Sequence, residues 1–294
     1  RERQKHGGGG ASPGDYQIRY QSMDRATFRN IRHFEARSIM RKGLLILANF
    51  LAFFWQLLPN RVRLAFFSGM LILESRHRSS SVGLTRLMSL RDKIDWIINE
   101  RAMVYGKGEH PKHRLTDYHQ FFIDRIKQAE SVLDVGCGYG AVSRSIARAH
   151  PDSNVVGIDH DSTRLAKARD FGHLSNLKFV YGDATREVPA GDWDVVILSN
   201  VLEHIDERVI FLKALSLNTR AKRYLIRVPM FERNWQMALR RELGIDFRSD
   251  LDHRIEHTTR EFREEIFQSG LDFVEMQTLW GEIWADCRSK EHMR

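Results

Sequence analysis

Three glycines at alternate positions are the residues whose chemistry is easiest to anticipate from the sequence. Val132–Val135 is a predicted buried strand, Gly136, Gly138 and Gly140 follow it, and a helical run comes next. Glycine lets the backbone turn sharply and lets a ligand lie against it, and the free N–H groups of the following helix point at the same place. The pattern predicts a ligand-binding turn. Gly136-x-Gly138-x-x-Ala141 also fits the nicotinamide-dinucleotide fingerprint.

Polar side chains stand at the ends of the next three predicted strands. Asp159 ends Asn154–Asp159, Asp183 follows Leu177–Tyr181, and Asn200 ends Trp193–Asn200. Ligands of open α/β sheets lie beyond the carboxyl ends of the strands, so we expect these side chains at one site. Asp159 is placed to accept both ribose hydroxyls of a nucleoside, and Asp183 to accept an exocyclic amine.

The order of these elements predicts the fold. Strands alternate with helices, which builds a parallel sheet with helices on both faces. The last two strands, Asp272–Trp280 and Glu282–Arg288, leave no room for a crossover helix and must be antiparallel neighbours. The predicted fold class is therefore α/β, a doubly wound and mostly parallel seven-stranded sheet. Helices are predicted at Tyr118–Gln128, Thr163–His173, Glu203–Leu215 and Thr258–Ser269, and a further strand at Arg223–Val228.

Four motifs in order carry a resemblance to a known family. They are Val132-Leu133-Asp134-Val135-Gly136-Cys137-Gly138-Tyr139-Gly140, Gly157-Ile158-Asp159, Gly182-Asp183-Ala184 and Asn200-Val201-Leu202-Glu203-His204-Ile205. At these spacings the chain resembles the class I S-adenosylmethionine-dependent methyltransferases over about residues 112–288. It is most similar to the branch that includes quinone-pathway and saccharide O-methyltransferases.

The resemblance implies S-adenosylmethionine as cofactor and a role for each matching residue. The implied cofactor-binding residues are Asp134, Gly136, Gly138 and Gly140 at the methionine end, Asp159 at the ribose, Asp183 and Ala184 at the adenine, and Ser199 and Asn200 beside the methionine amine. Each has a plainer alternative: Asp134 braces the glycine turn, and Asp183 caps a helix.

Histidines near these motifs are the candidates for moving a proton. His204, just past the fourth strand, is the expected general base, with bonding to a neighbouring loop as the alternative. His119 is a second catalytic candidate, and with Tyr118 it lies in the helix before the glycine-turn strand, where this fold often closes over the cofactor. The alternative for that pair is an ordinary amphipathic helix.

An insertion between Pro229 and Thr258 stands where the acceptor usually sits in this fold. Trp235, His253 and His257 are expected to line the substrate pocket. Asp252, His253 and His257 also suggest a metal cluster, but no clear further ligand accompanies them, so no metal site is predicted.

Differences between this sequence and the motifs of other methyltransferases narrow the range of possible acceptors. The fourth strand ends in Ser199-Asn200-Val201-Leu202, unlike the Asn/Asp-Pro-Pro-Tyr/Phe type of enzymes that methylate base amines. Residues 111–294 hold 27 Lys and Arg against 29 Asp and Glu, which is no nucleic-acid footprint. We therefore expect no nucleic-acid partner and an acceptor that is a metabolite, a glycan or a lipid-linked molecule. The methylated group is expected to be a hydroxyl, with an amine or a carbon as the alternatives.

The basic excess lies in the N-terminal third. Residues 1–110 hold 19 Lys and Arg against 9 Asp and Glu. Residues 1–23 are expected to be a flexible lead, residues 24–110 a basic, apolar helical appendage with a basic helix at Asp24–Met40, and residues 111–294 the methyltransferase domain. Two apolar runs, Leu44–Leu58 and Leu64–Leu73, are separated by Pro59-Asn60 and flanked by arginines.

These runs are too short to span a bilayer and fit a hairpin that dips into one leaflet. Residues 24–80 are thus expected to bind an anionic membrane surface. The alternatives are core helices of a cap, or a dimer surface. Two cysteines, Cys137 and Cys287, make no disulfide framework and favour a reducing compartment. We expect a cytoplasmic protein, peripheral or monotopic on the inner face of a membrane, with its oligomeric state left open.

Three functions are consistent with the sequence. The first is a membrane-associated O-methyltransferase acting on a small-molecule, saccharide or lipid-linked acceptor. The second is a soluble small-molecule methyltransferase whose N-terminal helices cap the site or dimerise it. The third is a non-catalytic subunit that keeps the cofactor-binding fold as a scaffold, and the intact motif series counts against it.

Overall fold

A computed structural model describes residues 48, 50–107, 110–187, 191–250 and 252–290. Contacts divide the chain into two compact units, Arg1–Arg76 and His77–Arg294. The expected flexible lead and the basic helix at Asp24–Met40 lie outside the described residues. The division between the units lies N-terminal to residue 111, where the methyltransferase domain is predicted to begin.

The first unit contains two helical segments joined at a proline. Residues 50–56 are helical, and helix α1 (Asn60–Ser75) begins directly after Pro59. The Trp55 ring packs edge-on against Phe66 and Phe67, with centroids 5.7 and 5.5 Å away. Residues 50–56 of the predicted run Leu44–Leu58 are helical, the run Leu64–Leu73 lies within α1, and the predicted break falls at Pro59. Among the described residues, no helix is long and apolar enough to cross a membrane.

The second unit carries the sheet. Its helices are α2 (Ser80–Tyr105), α3 (Lys112–Thr116), α4 (Tyr118–Ile123), α5 (Ala141–Ala149), α6 (Ser162–Asp170), α7 (Arg208–Thr219), α8 (Trp235–Glu242) and α9 (Thr259–Gln268). Its strands are β1 (Ser131–Val135), β2 (Asn154–Asp159), β3 (Leu177–Tyr181), β4 (Val195–Ser199), β5 (Arg223–Pro229), β6 (Leu271–Leu279) and β7 (Glu282–Ser289). One-turn 3₁₀ helices occupy Leu202–His204 and Phe231–Arg233.

The seven strands form one sheet in the order β3-β2-β1-β4-β5-β7-β6. The first five are parallel, whereas β7 lies antiparallel to both β5 and β6. From β1 the sheet extends through β2 to β3 on one side and through β4 to β5 on the other. At this change of side the carboxyl ends of β1 and β4 lie beside a crevice. The predicted doubly wound sheet with an antiparallel closing pair is confirmed.

Successive strand residues pack on opposite faces of the sheet. Leu133 joins a core on one face with residues of α7 and α9, whereas Val132 joins the core on the other face with residues of α4 and α5. Side chains alternate along a strand with a period of two, so the apolar runs of the central strands bury both faces. This double core holds the strand ends in fixed register.

Two local predictions differ from the structure. The helix predicted at Tyr118–Gln128 ends at Ile123, because the chain turns there and Ile126 reaches the core. The helix predicted at Glu203–Leu215 is split, because Ile205 is extended (φ −101°, ψ 131°) between the 3₁₀ turn Leu202–His204 and α7.

Candidate functional site

The turn between β1 and α5 requires glycine for two different reasons. Gly136, Gly138 and Gly140 have φ of 66°, 55° and 69°, in the left-handed region that other residues rarely adopt. A Cβ on Gly136 would lie 2.8 Å from Val201 Cγ2, and one on Gly140 would overlap the Phe179 ring. A Cβ on Gly138 would meet nothing within 4 Å. The outer glycines permit close packing, and the middle one leaves room for a ligand against the backbone.

Asp134 lies beneath this turn, near the end of β1. It is 2% exposed, and the Ser143 hydroxyl donates a hydrogen bond to its Oδ2. Burial is the main cause that raises the pKa of Asp134 to about 7; the nearby charge of Asp159 acts in the same direction, and the bond from Ser143 opposes both. Asp134 therefore braces α5 against β1 beside the glycine turn, and its cofactor-binding role stays a prediction.

Asp159 ends β2 and ties the turn to that strand. The Gly138 N–H donates to its Oδ2 over 2.7 Å, and the Asp161 N–H donates to its Oδ1 over 2.8 Å. Each carboxylate oxygen retains a second lone pair for a ligand. The ribose-binding role of Asp159 stays a prediction, and its position at the strand end agrees with it.

Asp183 and Ala184 follow β3. Asp183 accepts hydrogen bonds from the Thr185 N–H (3.0 Å) and the Thr185 hydroxyl (2.6 Å). The hydroxyl bond is the main cause that lowers the pKa of Asp183 below its usual value. The side chain thus closes a local turn and does not cap a helix, and its adenine-binding role stays a prediction.

Ser199 and Asn200 end β4. Asn200 adopts a left-handed conformation with φ 58°, and its buried side-chain oxygen has no hydrogen-bond partner among the described residues. The Ser199 hydroxyl accepts a hydrogen bond from Arg227 Nη1 over 3.2 Å. An unpaired buried acceptor costs free energy. A ligand that donates a hydrogen bond to the Asn200 side-chain oxygen would remove this cost.

These strand ends enclose a cavity of about 410 Å³. Its size lies in the range of small-molecule sites, and its position beyond β1 to β4 is the usual ligand crevice of such sheets. It is lined by Val135, Gly136, Ile158, Asp159, His160, Arg164, Gly182, Asp183, Ala184, Thr185, Asn200, Val201, His204, Ile205, Phe211, Asp252 and Arg254.

His204 lies in the wall of the cavity opposite the glycine turn. Its Nδ1 is 3.3 Å from Asp252 Oδ2, and its side chain is 37% exposed. Its ring meets the His253 ring edge-on, with centroids 4.8 Å apart. The structure therefore brings the expected base, just after β4, into contact with His253 of the insertion, which is buried and does not itself line the cavity.

Two other expected pocket residues lie elsewhere. His257 is fully buried, and its Nε2 is 3.0 Å from Glu265 Oε2, a carboxylate that also pairs with Arg208. Trp235 begins α8 and is 72% exposed. Neither residue lines the cavity, because His257 packs inward and the Trp235 side chain projects to solvent.

Tyr118 and His119 form a second cluster outside the cavity wall. The Tyr118 hydroxyl lies 2.7 Å from His113 Nδ1, and the Arg227 guanidinium stacks on the Tyr118 ring at 3.8 Å. His119 Nδ1 lies 2.9 Å from the Ser145 hydroxyl. Burial raises the pKa of Tyr118 to about 12 and lowers that of His119 to about 4. A catalytic role for His119 stays a prediction.

Sequence reasoning missed Glu203 and Arg254. Glu203 is fully buried behind His204, and burial raises its pKa to about 8. Arg254 lines the cavity because its N–H donates to the Glu203 carbonyl over 2.6 Å. This main-chain bond holds the insertion against the end of β4. No pattern of side chains in the sequence predicts such a bond. A carboxylate three residues after the end of a predicted strand was the available signal for Glu203.

Comparison with known proteins identifies the domain. Residues 132–218 match a family described as a methyltransferase domain. The ribosomal protein L11 methyltransferase of Burkholderia ambifaria (strain MC40-6) is 37% identical over 107 residues, which are 35% of this chain and 34% of that protein. A protein named probable (S)-tetrahydroprotoberberine N-methyltransferase 2, from Papaver bracteatum, is 28% identical over 104 residues, 33% of this chain and 29% of that protein.

A solved structure supports the fold. A chain of the complex between the Haloferax volcanii Trm112 methyltransferase activator and a methyltransferase aligns with a TM-score of 0.51 and 16% identity, over 66% of this chain and 96% of that one. The chain spans only about a third of the length of the curated relatives named above. What is shared with those relatives is therefore a segment of little more than 100 residues, and their named substrates belong to them.

Asp134 gives a pH-dependent contribution to stability that can be measured. Its pKa is raised from 3.8 to about 7 in the folded chain, so folding takes up a proton between these values and stability falls as the pH rises through this window. Asp134→Asn removes that titration. Urea denaturation gives the unfolding free energy at each pH between 4 and 7. Over this range it should fall less in the variant than in the wild type, and the two falls should differ by at most about 4 kcal/mol. Asp170→Asn, at an exposed residue of α6, is the control. Parallel curves for wild type and Asp134→Asn would contradict the assignment.

Proposed function

We propose that this chain, which is a class I S-adenosylmethionine-dependent methyltransferase, methylates a hydroxyl oxygen of an acceptor that enters the cavity beside His204. The observation that carries the proposal is the His204–Asp252 pair in the wall of the cavity formed by the carboxyl ends of β1 to β4. A cofactor site and a group able to take a proton therefore share one crevice.

The residues of the cavity fit S-adenosylmethionine. The free space at Gly138 suits a ligand that lies against the backbone, and the Asn200 oxygen, buried without a described partner, suits the methionine amine. Asp159 lines the same cavity at the end of β2, where the ribose hydroxyls are expected. When bound, the cofactor supplies a methyl group on a positively charged sulfur, and the protein's task is to align an acceptor with it.

The His204–Asp252 pair supplies the proton acceptor. The Asp252 carboxylate lies 3.3 Å from Nδ1, so a proton on Nδ1 is favoured there and Nε2 is left for the acceptor hydroxyl. S-adenosylmethionine held there would supply the methyl group to the acceptor oxygen and leave as S-adenosylhomocysteine, and His204 would take the hydroxyl proton. A hydroxyl fits this arrangement better than a base amine, because Val201 and Leu202 stand where amine-methylating enzymes have prolines.

His204→Ala tests this role. Loss of a positioned general base typically lowers a rate by about 10²- to 10⁴-fold. With S-adenosylmethionine and an acceptor found in a panel of phenols, quinols and saccharides, we expect kcat to fall by at least about 10²-fold. The affinity for S-adenosylhomocysteine, measured by calorimetry, should stay within about twofold of wild type, because His204 acts on the acceptor.

His173→Ala is the matched control, since His173 is exposed and does not line the cavity. An unchanged kcat for His204→Ala, under conditions where chemistry limits the rate, would contradict the role. Turnover with amines but with none of the hydroxyl compounds would overturn the acceptor class and leave the cofactor site intact.

We infer that the first unit binds an anionic membrane surface. Its apolar side chains are unusually open to solvent: Phe53, Leu57 and Leu73 are 65%, 68% and 72% exposed. Leu44–Leu73 contains no acidic residue, and Arg61, Arg63 and Arg76 lie at the ends of the apolar segments. Apolar side chains that enter the acyl region and arginines at the headgroups both favour a leaflet with anionic lipids.

An apolar cleft in the same unit suits an acyl chain. It is lined by Leu51, Ala52, Phe54, Trp55, Leu58, Phe66 and Phe67. A surface this apolar on a protein in water marks an interaction site. A helical cap or a dimer partner would bury the same side chains, so the test must distinguish a lipid surface from protein.

Two exposed leucines provide the test. The double variant Leu57→Asp with Leu73→Asp removes apolar contacts and adds charges that an anionic leaflet repels. Each leucine buried in lipid contributes about 1.5–3 kcal/mol, so we expect the partition coefficient onto anionic vesicles to fall at least about tenfold. Vesicle sedimentation measures it, and neutral vesicles should bind the wild type more weakly.

The control pairs Ile210→Asp with Leu217→Asp, two α7 residues that are 63% and 67% exposed. This control should sediment like the wild type. A wild-type chain that stays monomeric without detergent and does not bind anionic vesicles would contradict the membrane proposal and favour a cap. Concentration-dependent dimers that the leucine variant abolishes would favour the dimer surface.

A further inference from the structure

Three metal-ligating side chains converge beside the cavity. A carboxylate oxygen of Glu203 and one nitrogen each of His204 and His253 lie within 4.8 Å of one another. Glu203 and His204 come from the turn after β4, and His253 comes from the insertion. Two imidazoles and a carboxylate at this spacing are a donor set typical of divalent first-row transition metals.

Glu203 supplies an independent observation that points to a cation. Its side chain is fully buried, and neither carboxylate oxygen has a hydrogen-bond partner from any other described residue. A carboxylate in such a place is costly unless a positive charge or a donor approaches it. A bound cation would provide that compensation.

His253 is oriented as metal-bound histidines usually are. Its Nδ1 lies 3.3 Å from Glu256 Oε1, which leaves Nε2 for another partner. Glu256 is itself buried and is paired with Arg233. A carboxylate behind a ligating histidine fixes the ring and strengthens it as a donor. The ring is therefore held in position before any ligand binds.

We propose that Glu203, His204 and His253 bind a divalent transition-metal cation of the Mn²⁺, Co²⁺ or Zn²⁺ class. Three protein ligands leave coordination positions open, as sites that act on a substrate do. Asp252, close to His204 and a wall residue of the cavity, adds negative charge on the open side.

The position of the cation suggests its role, which rests on the proposed methyl transfer. His204 lines the cavity, so a cation bound to it faces the acceptor hydroxyl. A divalent cation lowers the pKa of a hydroxyl that binds it. The proton then passes to Asp252, because a coordinated His204 has no lone pair left toward the acceptor. His204 can therefore either bind the cation or act as the free base, but not both. Whether a cation is bound decides which role it has.

Co²⁺ titration tests the site without any acceptor. The full chain is freed of metal by dialysis against chelator, and Co²⁺ is added while calorimetry and visible absorption are recorded. We expect one Co²⁺ per chain. Glu203→Gln and His253→Asn should each weaken binding at least about tenfold. Glu264→Gln, at a carboxylate 60% exposed on α9, and His173→Ala should bind as wild type does.

The outcomes separate the two proposals. S-adenosylhomocysteine binding reports that each variant is folded. If the variants bind S-adenosylhomocysteine and bind Co²⁺ as tightly as wild type, or if wild type binds no Co²⁺, the metal site is wrong and Glu203 is a protonated buried acid. If Co²⁺ binding is lost in the variants while no acceptor is methylated by wild type, the site stands and the proposed reaction fails.

Discussion

The left-handed turn between β1 and α5 is the constraint on which the rest of the site depends. Gly136 and Gly140 allow Val201 and Phe179 to pack against the backbone, and the Gly138 N–H is anchored on Asp159. These contacts bind the turn to β2, β3 and the end of β4 at once. A side chain at either outer glycine would push those strands apart, and the cavity between their ends would lose its shape.

The insertion after β5 completes the site by main-chain contacts. The Phe231 N–H donates to the His257 carbonyl over 2.8 Å, and the Arg254 N–H donates to the Glu203 carbonyl over 2.6 Å. Inside this loop Arg233 pairs with Glu256, whose carboxylate lies beside His253. The insertion is thus folded around its own ion pair and docked on β4, which sets His253 and Asp252 against His204.

Much of the fold and of the cofactor site could be predicted, because both follow from the regular alternation of apolar strands, turns and helices along the sequence. Asn154–Asp159 and Leu177–Tyr181 were located to the residue, since apolar strands buried on both faces are bounded by turn residues. Parallel strands bring their carboxyl ends together, so Asp159 and Asn200 were expected at one cavity. His257 and Glu203 could not be placed, because their surroundings come from a docked loop. Whether a histidine turns inward toward Glu265 or outward to a pocket depends on contacts far away in sequence.

The central claim is that the crevice at the ends of β1 to β4 binds an S-adenosyl ligand through Asp159. Isothermal titration of the full chain with S-adenosylhomocysteine, and separately with NAD⁺, tests this directly. The account predicts saturable binding of S-adenosylhomocysteine at one site per chain, no detectable binding of NAD⁺, and loss of the S-adenosylhomocysteine signal in Asp159→Ala. Tight binding of NAD⁺ with no binding of S-adenosylhomocysteine would contradict it.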